Sequence, residues 1–178
     1  MHRLTVLAGA FGAALLMNCG AFAQVAADSN NPNEAVPDAM APPPYGETIN
    51  AETAKKVATA AIAEAQKRNW NGFCVAVVGP SGDLVYFERM DNCQYASITI
   101  SQHKAKAAAI FRRPTKVFED RVASGGAGIA AITLDGVIAS EGGLPIVVGG
   151  KIVGAMGCSG GTGQQDGLSC QAGVNAVK

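Results

Sequence analysis

The stretch Glu141–Gly161, EGGLPIVVGGKIVGAMGCSGG, decides the fold of this chain. Two apolar runs in it, Leu144–Val148 and Ile152–Met156, flank the pair Gly149-Gly150. Adjacent glycines between apolar runs favour a type I′ hairpin turn, because both central residues of that turn need positive φ. The second run leads into a glycine-rich loop and then a predicted helix over residues 164–177. The stretch therefore predicts a β-hairpin that feeds a helix through a backbone-rich loop.

The loop after the hairpin is a candidate anion site, because glycine amides can approach an anion closely and a helix start favours negative charge. Its candidate residues are Ser159, Gly160, Gly161 and Thr162. The loop lacks the Lys-Ser/Thr pair of a Walker phosphate loop. A tight strand-to-helix turn needs glycines in any case, so a purely structural role is the alternative.

Upstream of the hairpin, the chain alternates helices and strands. Asn50 is a good N-cap, and apolar residues recur at helical spacing from there to residue 68. A turn at 79–83 separates two strands, Phe73–Val78 and Leu84–Arg89. Two helices follow at 97–111 and 115–123, then a loop at 124–128 and an irregular segment, 129–140, with room for a short strand. Because strands joined by tight turns are antiparallel, the predicted class is α+β, with one antiparallel sheet flanked by helices.

The first 48 residues are expected to lie outside the folded domain. Residues 1–23 combine a positive tip, an apolar run and Ala21-Phe22-Ala23, which is typical of a cleaved secretory signal peptide. Residues 24–48 are rich in Pro, Asn and Asp, which favours a disordered or extended leader. The folded domain is predicted at 49–178. The protein is therefore expected to be periplasmic or secreted, without stable membrane insertion.

Four cysteines follow the signal peptide, and an even number in an exported chain indicates disulfides. The favoured pairs among the three pairings are Cys74–Cys93 and Cys158–Cys170, because each joins a strand to a segment expected to return beside it. A catalytic cysteine is the weaker alternative, since no Cys-x-x-Cys motif is present. With 14 Lys and Arg against 14 Asp and Glu, the charge balance does not favour nucleic acid as a partner.

Four pieces of the chain, taken in order, resemble the HbpS/GlcG-like family of haem-binding and haem-degrading proteins. They are TAKKVATAAIAEAQKRNW, VAVVGPSGDLVYFERMD, ASITISQHKAKAAAIFRRPT and GGLPIVVGGKIVGAMGCSGGTGQQD. The resemblance, which runs from Thr53 to Val177, implies a profilin-like (GlcG-like) sheet with flanking helices, haem as a cofactor and a homo-oligomer. Some relatives have no settled role. The cysteines and the long leader depart from cytoplasmic members and fit an exported one.

His103 is the only histidine after the signal peptide, and a neutral imidazole is a common ligand of haem iron. A surface or interface histidine is the alternative. A second iron ligand would have to be Met90, Met156, a tyrosine or a residue of another chain. A structural zinc or two-histidine iron site is not expected from a single histidine.

A basic segment beside His103 is the candidate partner for haem propionates or for a carboxylate ligand, because arginine binds carboxylates through two parallel hydrogen bonds. Lys104 and Arg112 are predicted to share roughly one helix face. The alternative is a solvated face paired with Glu119 and Asp120. The haem-binding candidates beside His103 are Lys104, Arg112 and Arg113, and the segment also contains Lys106 and Lys116.

The expected function is that of an exported small haem-binding protein that assists haem handling or degradation. The alternative is a periplasmic binding or accessory module for a small organic acid, without haem. The carboxylates Asp91, Glu119, Asp120 and Glu141 are scattered in the sequence, and no two are placed as an acid–base pair. No catalytic residue is assigned, and a dedicated enzyme is the less favoured interpretation.

Overall fold

The computed structural model of the protein describes residues 41–177. The predicted signal peptide and residues 24–40 of the predicted leader lie outside the described residues. In chain order the elements are helix α1 (Ala51–Lys67), strands β1 (Cys74–Val78) and β2 (Leu84–Arg89), helices α2 (Tyr95–Ile110) and α3 (Lys116–Ala123), a 3-10 helix (Gly126–Thr133), strands β3 (Gly143–Val148) and β4 (Lys151–Ser159), and helix α4 (Gly163–Asn175).

The four strands form one antiparallel sheet in the order β2-β1-β4-β3, which confirms the predicted α+β class. Gly149 and Gly150 connect β3 to β4 with φ values of 56° and 75°, as the type I′ turn requires. The hairpin supplies β4, which lies between β1 and β3 and leads directly into the loop before α4. The stretch that begins at Glu141 therefore supplies the central strand β4 and the edge strand β3.

Helices cover both faces of this sheet, with α1 and α4 on one face and α2 on the other. Side chains alternate along β1, so Val75 and Val77 pack with α1 and α4 while Ala76 and Val78 pack with α2. Every residue of β1 is buried. Burial on both faces explains why β1 is a continuous apolar run and not an alternating one.

Small residues let α2 lie close to β4. Ala105 and Ala108 are fully buried against Ala155. At Gly157, an added Cβ atom would lie 2.0 Å from the Ser101 carbonyl oxygen and 2.5 Å from the Ala105 nitrogen. The helix that carries His103 is therefore seated on β4 at a distance that leaves no space for a side chain.

The end of the predicted leader is ordered. The Ile152 amide donates to the Pro44 carbonyl and the Gly46 amide donates to the Ile152 carbonyl, both at 2.8 Å. Residues 44–46 are therefore an extended part of the predicted leader that pairs with the sheet, and none of residues 44–48 is buried in the core. The physical reason is that β4 extends beyond the end of β1, where its pairing stops at Ala155, and the leader supplies partners for these backbone groups.

The segment 129–140 forms no strand and overlaps the 3-10 helix, which begins at Gly126. Gly125 and Gly126 have positive φ values of 70° and 54° and turn the chain sharply after α3. Ala131 is the buried residue of this 3-10 helix. The short strand that the sequence allowed in 129–140 therefore does not form, since this segment packs on α3 and does not pair with the sheet.

The structure contains the two expected disulfides, Cys74–Cys93 and Cys158–Cys170. The first joins β1 to the segment before α2, and the second joins β4 to α4 on the opposite face. They span 19 and 12 residues of sequence, and bridges of this span stabilise a fold by about 2–4 kcal/mol each. Within residues 41–177, no helix has the length and apolar character needed to cross a bilayer.

Candidate functional site

His103 lies on the exposed side of α2. Lys104, the next residue, is buried, so the two side chains lie on different faces of the helix, about 100° apart around its axis. The imidazole of His103 is therefore accessible to a ligand from solvent. The C-terminal end of α2, at Ile110, lies about 10 Å further along the helix axis, at 1.5 Å per residue.

Two arginines follow the end of α2 and are held by contacts of their own. The guanidinium of Arg112 lies 5.5 Å from the centre of the Tyr45 ring. The Nε of Arg113 donates to the Phe111 carbonyl at 3.0 Å. The prediction that Arg112 shares a helix face with Lys104 is wrong, because the helix ends at Ile110 and Arg112 has a left-handed backbone with φ of 54°.

Lys104 does not belong to the accessible basic segment. It is only 1% exposed, and its Nζ donates to Asp166 Oδ2 at 2.7 Å. Lys104 lies on the stripe of α2 that faces β4, together with Ser97 and Ser101, which places the ammonium in the interior. The prediction that Lys104 binds haem propionates is contradicted, because a buried carboxylate already neutralises its charge.

The glycine loop does bind an anion, but the anion is the carboxylate of Asp166. Asp166 Oδ1 accepts hydrogen bonds from the amides of Gly160 at 3.1 Å and Gly161 at 2.9 Å. The Thr162 amide donates to Gln165 Oε1 at 2.9 Å, in a capping box that starts α4. The predicted external anion site in this loop is therefore contradicted, because these amides already have partners within the protein.

Ser159, the fourth member of the predicted anion site, also has an internal partner. Its buried hydroxyl lies 2.9 Å from the hydroxyl of Ser97 at the start of α2. The pair extends the contact between β4 and α2 with a polar interaction. Ser159 therefore contributes to the seat of α2 and is not available to an external anion.

The environment of Asp166 combines opposing effects on its pKa. Burial raises the pKa of the carboxyl, while the Lys104 ammonium and the two glycine amides lower it. The Lys104 ammonium donates to Oδ2 of the Asp166 carboxylate, and the amides of Gly160 and Gly161 donate to its Oδ1. This arrangement connects α2 on one face of the sheet with α4 on the other. Sequence reasoning missed Asp166, although an acidic residue in the first turn of a helix that follows a glycine-rich loop was a usable signal.

A cleft of about 250 Å³ opens between the start of α3, the start of β3 and α4. Lys116 and Glu141 line it, and Gly142 and Gly143 lie between them. Glu119 Oε2 accepts a hydrogen bond from the Glu141 amide at 2.6 Å. Burial and the charge of Glu119 raise the pKa of Glu141, and Lys116 opposes them. The carboxylates Glu119 and Glu141 are therefore not scattered in space, because α3 folds back against the start of β3.

The fold places the remaining candidate ligand residues apart from His103. Met156 is fully buried beneath α1 and α4, which excludes it as an iron ligand shared with His103. Met90 is partly buried against the same core. Lys116 is paired with Asp120 one turn along α3, as the solvated-face alternative predicts. The accessible candidates near the end of α2 are thus His103, Arg112 and Arg113.

Comparisons with known proteins identify the family of this chain. A family model described as "Haem degrading protein HbpS-like" matches residues 49–175. Protein GlcG of Escherichia coli K12 is 40% identical over 111 residues, which cover 62% of this chain and 81% of that protein.

Two solved structures share the fold. The crystal structure of Klebsiella pneumoniae protein ORFY is similar with a TM-score of 0.69 and 26% identity, over 81% of this chain and 97% of that one. A double mutant of Streptomyces reticuli HbpS is similar with a TM-score of 0.68 and 25% identity, over 83% and 97%. Since the family model spans nearly the whole described domain, the chain belongs to the HbpS-like family.

Proposed function

We propose that this protein is an exported haem-binding protein that assists the handling or degradation of haem. Membership of a family described by haem degradation supports the choice of ligand. The observation that carries the proposal is the accessible imidazole of His103 on α2, with Arg112 and Arg113 fixed at the end of the same helix. Haem, when bound, supplies a redox-active iron whose reactivity the surrounding protein tunes.

The residues present fit this group. A solvent-accessible neutral imidazole is a suitable iron ligand. The guanidiniums of Arg112 and Arg113 are suited to propionates, because charge-assisted hydrogen bonds from arginine are strong and geometrically specific. In this proposal Lys104 has an indirect role: its ion pair with Asp166 fixes the helix on which His103 is carried.

Titrating hemin into the purified mature protein is expected to produce a shifted Soret band. His103→Ala should weaken hemin binding at least about tenfold, because an iron–ligand bond is lost. Thr99→Ala is the matched control, since Thr99 is also exposed on α2, one helical turn earlier. An absent shift, or an equal affinity in His103→Ala and Thr99→Ala, would show that His103 is not the ligand.

The second candidate function is a binding or accessory module for a small organic acid. The cleft lined by Lys116 and Glu141 favours it, because this cleft offers an ammonium and a carboxyl of raised pKa to a small polar ligand. A thermal-shift screen of hydroxy and keto acids separates the two functions. Stabilisation by an acid together with no response to hemin would favour this second function.

Export and self-association are part of the same proposal. The predicted signal peptide and the two disulfides support an oxidising compartment. The full chain can be expressed in a Gram-negative host, and the protein in the periplasmic fraction should begin at Gln24. Its mass, measured by light scattering, should be a multiple of the monomer mass. Ala21→Arg should block the cleavage. Retention of Met1 in an exported wild-type protein would contradict the cleavage site, and a monomeric mass would contradict the homo-oligomer.

A further inference from the structure

Three arginines lie around the corner between α2 and α3 without an acidic partner. Within residues 41–177 the ion pairs are Arg68–Glu64, Lys104–Asp166 and Lys116–Asp120, and none includes Arg112, Arg113 or Arg121. All three arginines are half-buried. Burial lowers the pKa of the Arg113 guanidinium, and the positive charges of Arg121 and Arg112 lower it further. Partly desolvated like charges in one place favour the binding of an anion.

The backbone of Arg112 is unusual for its residue type. The amides of Arg112 and Arg113 bond back to the Ala109 and Ala108 carbonyls, as in a Schellman motif. Arg112 occupies the left-handed position of that motif, where glycine is favoured because a Cβ atom is disfavoured there. Its guanidinium is nevertheless held over Tyr45, whose hydroxyl lies within hydrogen-bond distance of the last carbonyls of α2.

An apolar surface lies beside these cations. The chain after α3 folds back so closely that a Cβ atom on Gly128 would lie 2.0 Å from the Arg121 carbonyl oxygen. It then returns to α2, where a Cβ atom on Gly136 would lie 2.9 Å from the side chain of Ile110. Between these two contacts the chain exposes three large apolar side chains: Ile129 at 48%, Ile132 at 58% and Leu134 at 47%.

We propose that Arg112, Arg113 and Arg121 form the carboxylate-binding side of a ligand site, and that the 3-10 helix contacts the apolar body of the ligand. The ligand class is an amphiphile with an apolar body and one or more carboxylates. This inference rests on the proposed function and deepens it: Arg121, which the sequence reasoning did not select, is a residue that determines specificity for the carboxylates.

Metal-free protoporphyrin IX tests the site without any contribution from iron ligation. Fluorescence titration should show binding at least about tenfold tighter than that of its dimethyl ester, which lacks the negative charges. Arg121→Gln should weaken protoporphyrin binding by about the same factor. Thr99→Ala, which changes an exposed residue of α2 outside the proposed site, should bind the metal-free porphyrin as tightly as the wild type does.

Arg89→Gln is the matched control for the loss of charge. Arg89 lies over the ring of Tyr95 at 5.8 Å, as Arg112 lies over Tyr45. It is outside the α2–α3 corner, at the end of β2. This variant should leave porphyrin affinity unchanged. Equal affinities of Arg121→Gln and Arg89→Gln, or equal binding of the acid and the ester, would overturn the proposal.

Arg112→Gly separates ligand binding from a structural role. Glycine relieves the left-handed position, so Tm should rise by about 2–5 °C while porphyrin affinity falls. A fall in Tm without a change in affinity would assign Arg112 to the fold and contradict the proposal.

A titration with succinate distinguishes failure of this site from failure of haem binding. If hemin gives no Soret shift but Arg121→Gln selectively abolishes stabilisation by succinate, the carboxylate site stands and the haem function fails. If neither protoporphyrin nor succinate binds, the carboxylate site is itself refuted.

Discussion

Replacing Lys104 with methionine is expected to lower the free energy of unfolding by about 3–5 kcal/mol. Methionine retains the length and most of the volume of the side chain, so the packing of α2 on β4 is preserved. The change leaves the Asp166 carboxylate, which is 3% exposed, with only the amides of Gly160 and Gly161 as partners. The free-energy penalty of leaving one buried charge unpaired is larger than the net stabilisation that the intact ion pair provides.

The size of this loss should depend on pH. Burial already raises the folded-state pKa of Asp166 above its unfolded value, and removal of Lys104 removes an opposing effect. Above the folded-state pKa, the variant must bury an ionised carboxylate and is penalised in full. As pH falls through the folded-state pKa towards the unfolded value of about 3.9, the folded variant takes up a proton and the penalty declines. The difference between wild type and variant should therefore be largest near neutral pH.

Urea denaturation at several pH values measures this difference. Lys106→Met is the matched control, because Lys106 is exposed on the same helix and its loss should change stability by no more than about 0.5 kcal/mol. Asp166→Asn should cost a similar amount to Lys104→Met, since it leaves the ammonium buried without an opposite charge. A Lys104→Met variant as stable as Lys106→Met would refute the structural role of the ion pair.

Local sequence patterns were sufficient for the elements whose interactions are short in range. The glycine pair fixes the hairpin turn, Asn50 caps α1 by accepting from the Thr53 amide at 2.8 Å, and short apolar runs bounded by turn residues indicate the strands. The disulfide pairs followed from the same reasoning, because each joins elements that are close in sequence. The class of the fold could thus be predicted before any contact was known.

Long-range partners could not be read from local patterns. Lys104 and Asp166 are separated by 62 positions, and only the crossing of α2 over the end of β4 brings them together. A lysine in a basic segment has the same local pattern whether it faces solvent or the core. Residues 44–48 look like a leader by composition, and their order depends on the unpaired edge of β4. For the same reason the sequence did not relate Arg121 to Arg113.

The contact between α2 and β4 is the second feature whose loss should have a large effect. Gly157→Ala is expected to lower the free energy of unfolding by about 3 kcal/mol. The new methyl group would meet the Ser101 carbonyl oxygen at 2.0 Å and the Ala105 nitrogen at 2.5 Å. Both are backbone atoms of α2, so a side-chain rotation cannot relieve the overlap and the whole helix has to move away from the sheet.

Gly163→Ala is the matched control for this change. Gly163 begins α4, and its nearest contacts for a Cβ atom are at 3.4 Å, to the side chains of Glu119 and Glu141. Alanine there should be neutral or stabilise by up to about 1 kcal/mol, because it restricts the unfolded chain. Equal unfolding midpoints in urea for the two variants would contradict the close seating of α2.

Gly157→Ala also tests whether the position of α2 matters for ligand binding, since this helix carries His103 and leads to Arg112. A helix displaced from β4 would move the imidazole relative to the backbone at Tyr45, because the neighbouring residues Pro44 and Gly46 are hydrogen-bonded to β4. At temperatures where the variant remains folded, hemin affinity should therefore fall in Gly157→Ala and stay unchanged in Gly163→Ala. Full hemin affinity in a folded Gly157→Ala variant would show that hemin binding does not depend on the contact between α2 and β4. The cleft beside Glu141 would then be the favoured binding site.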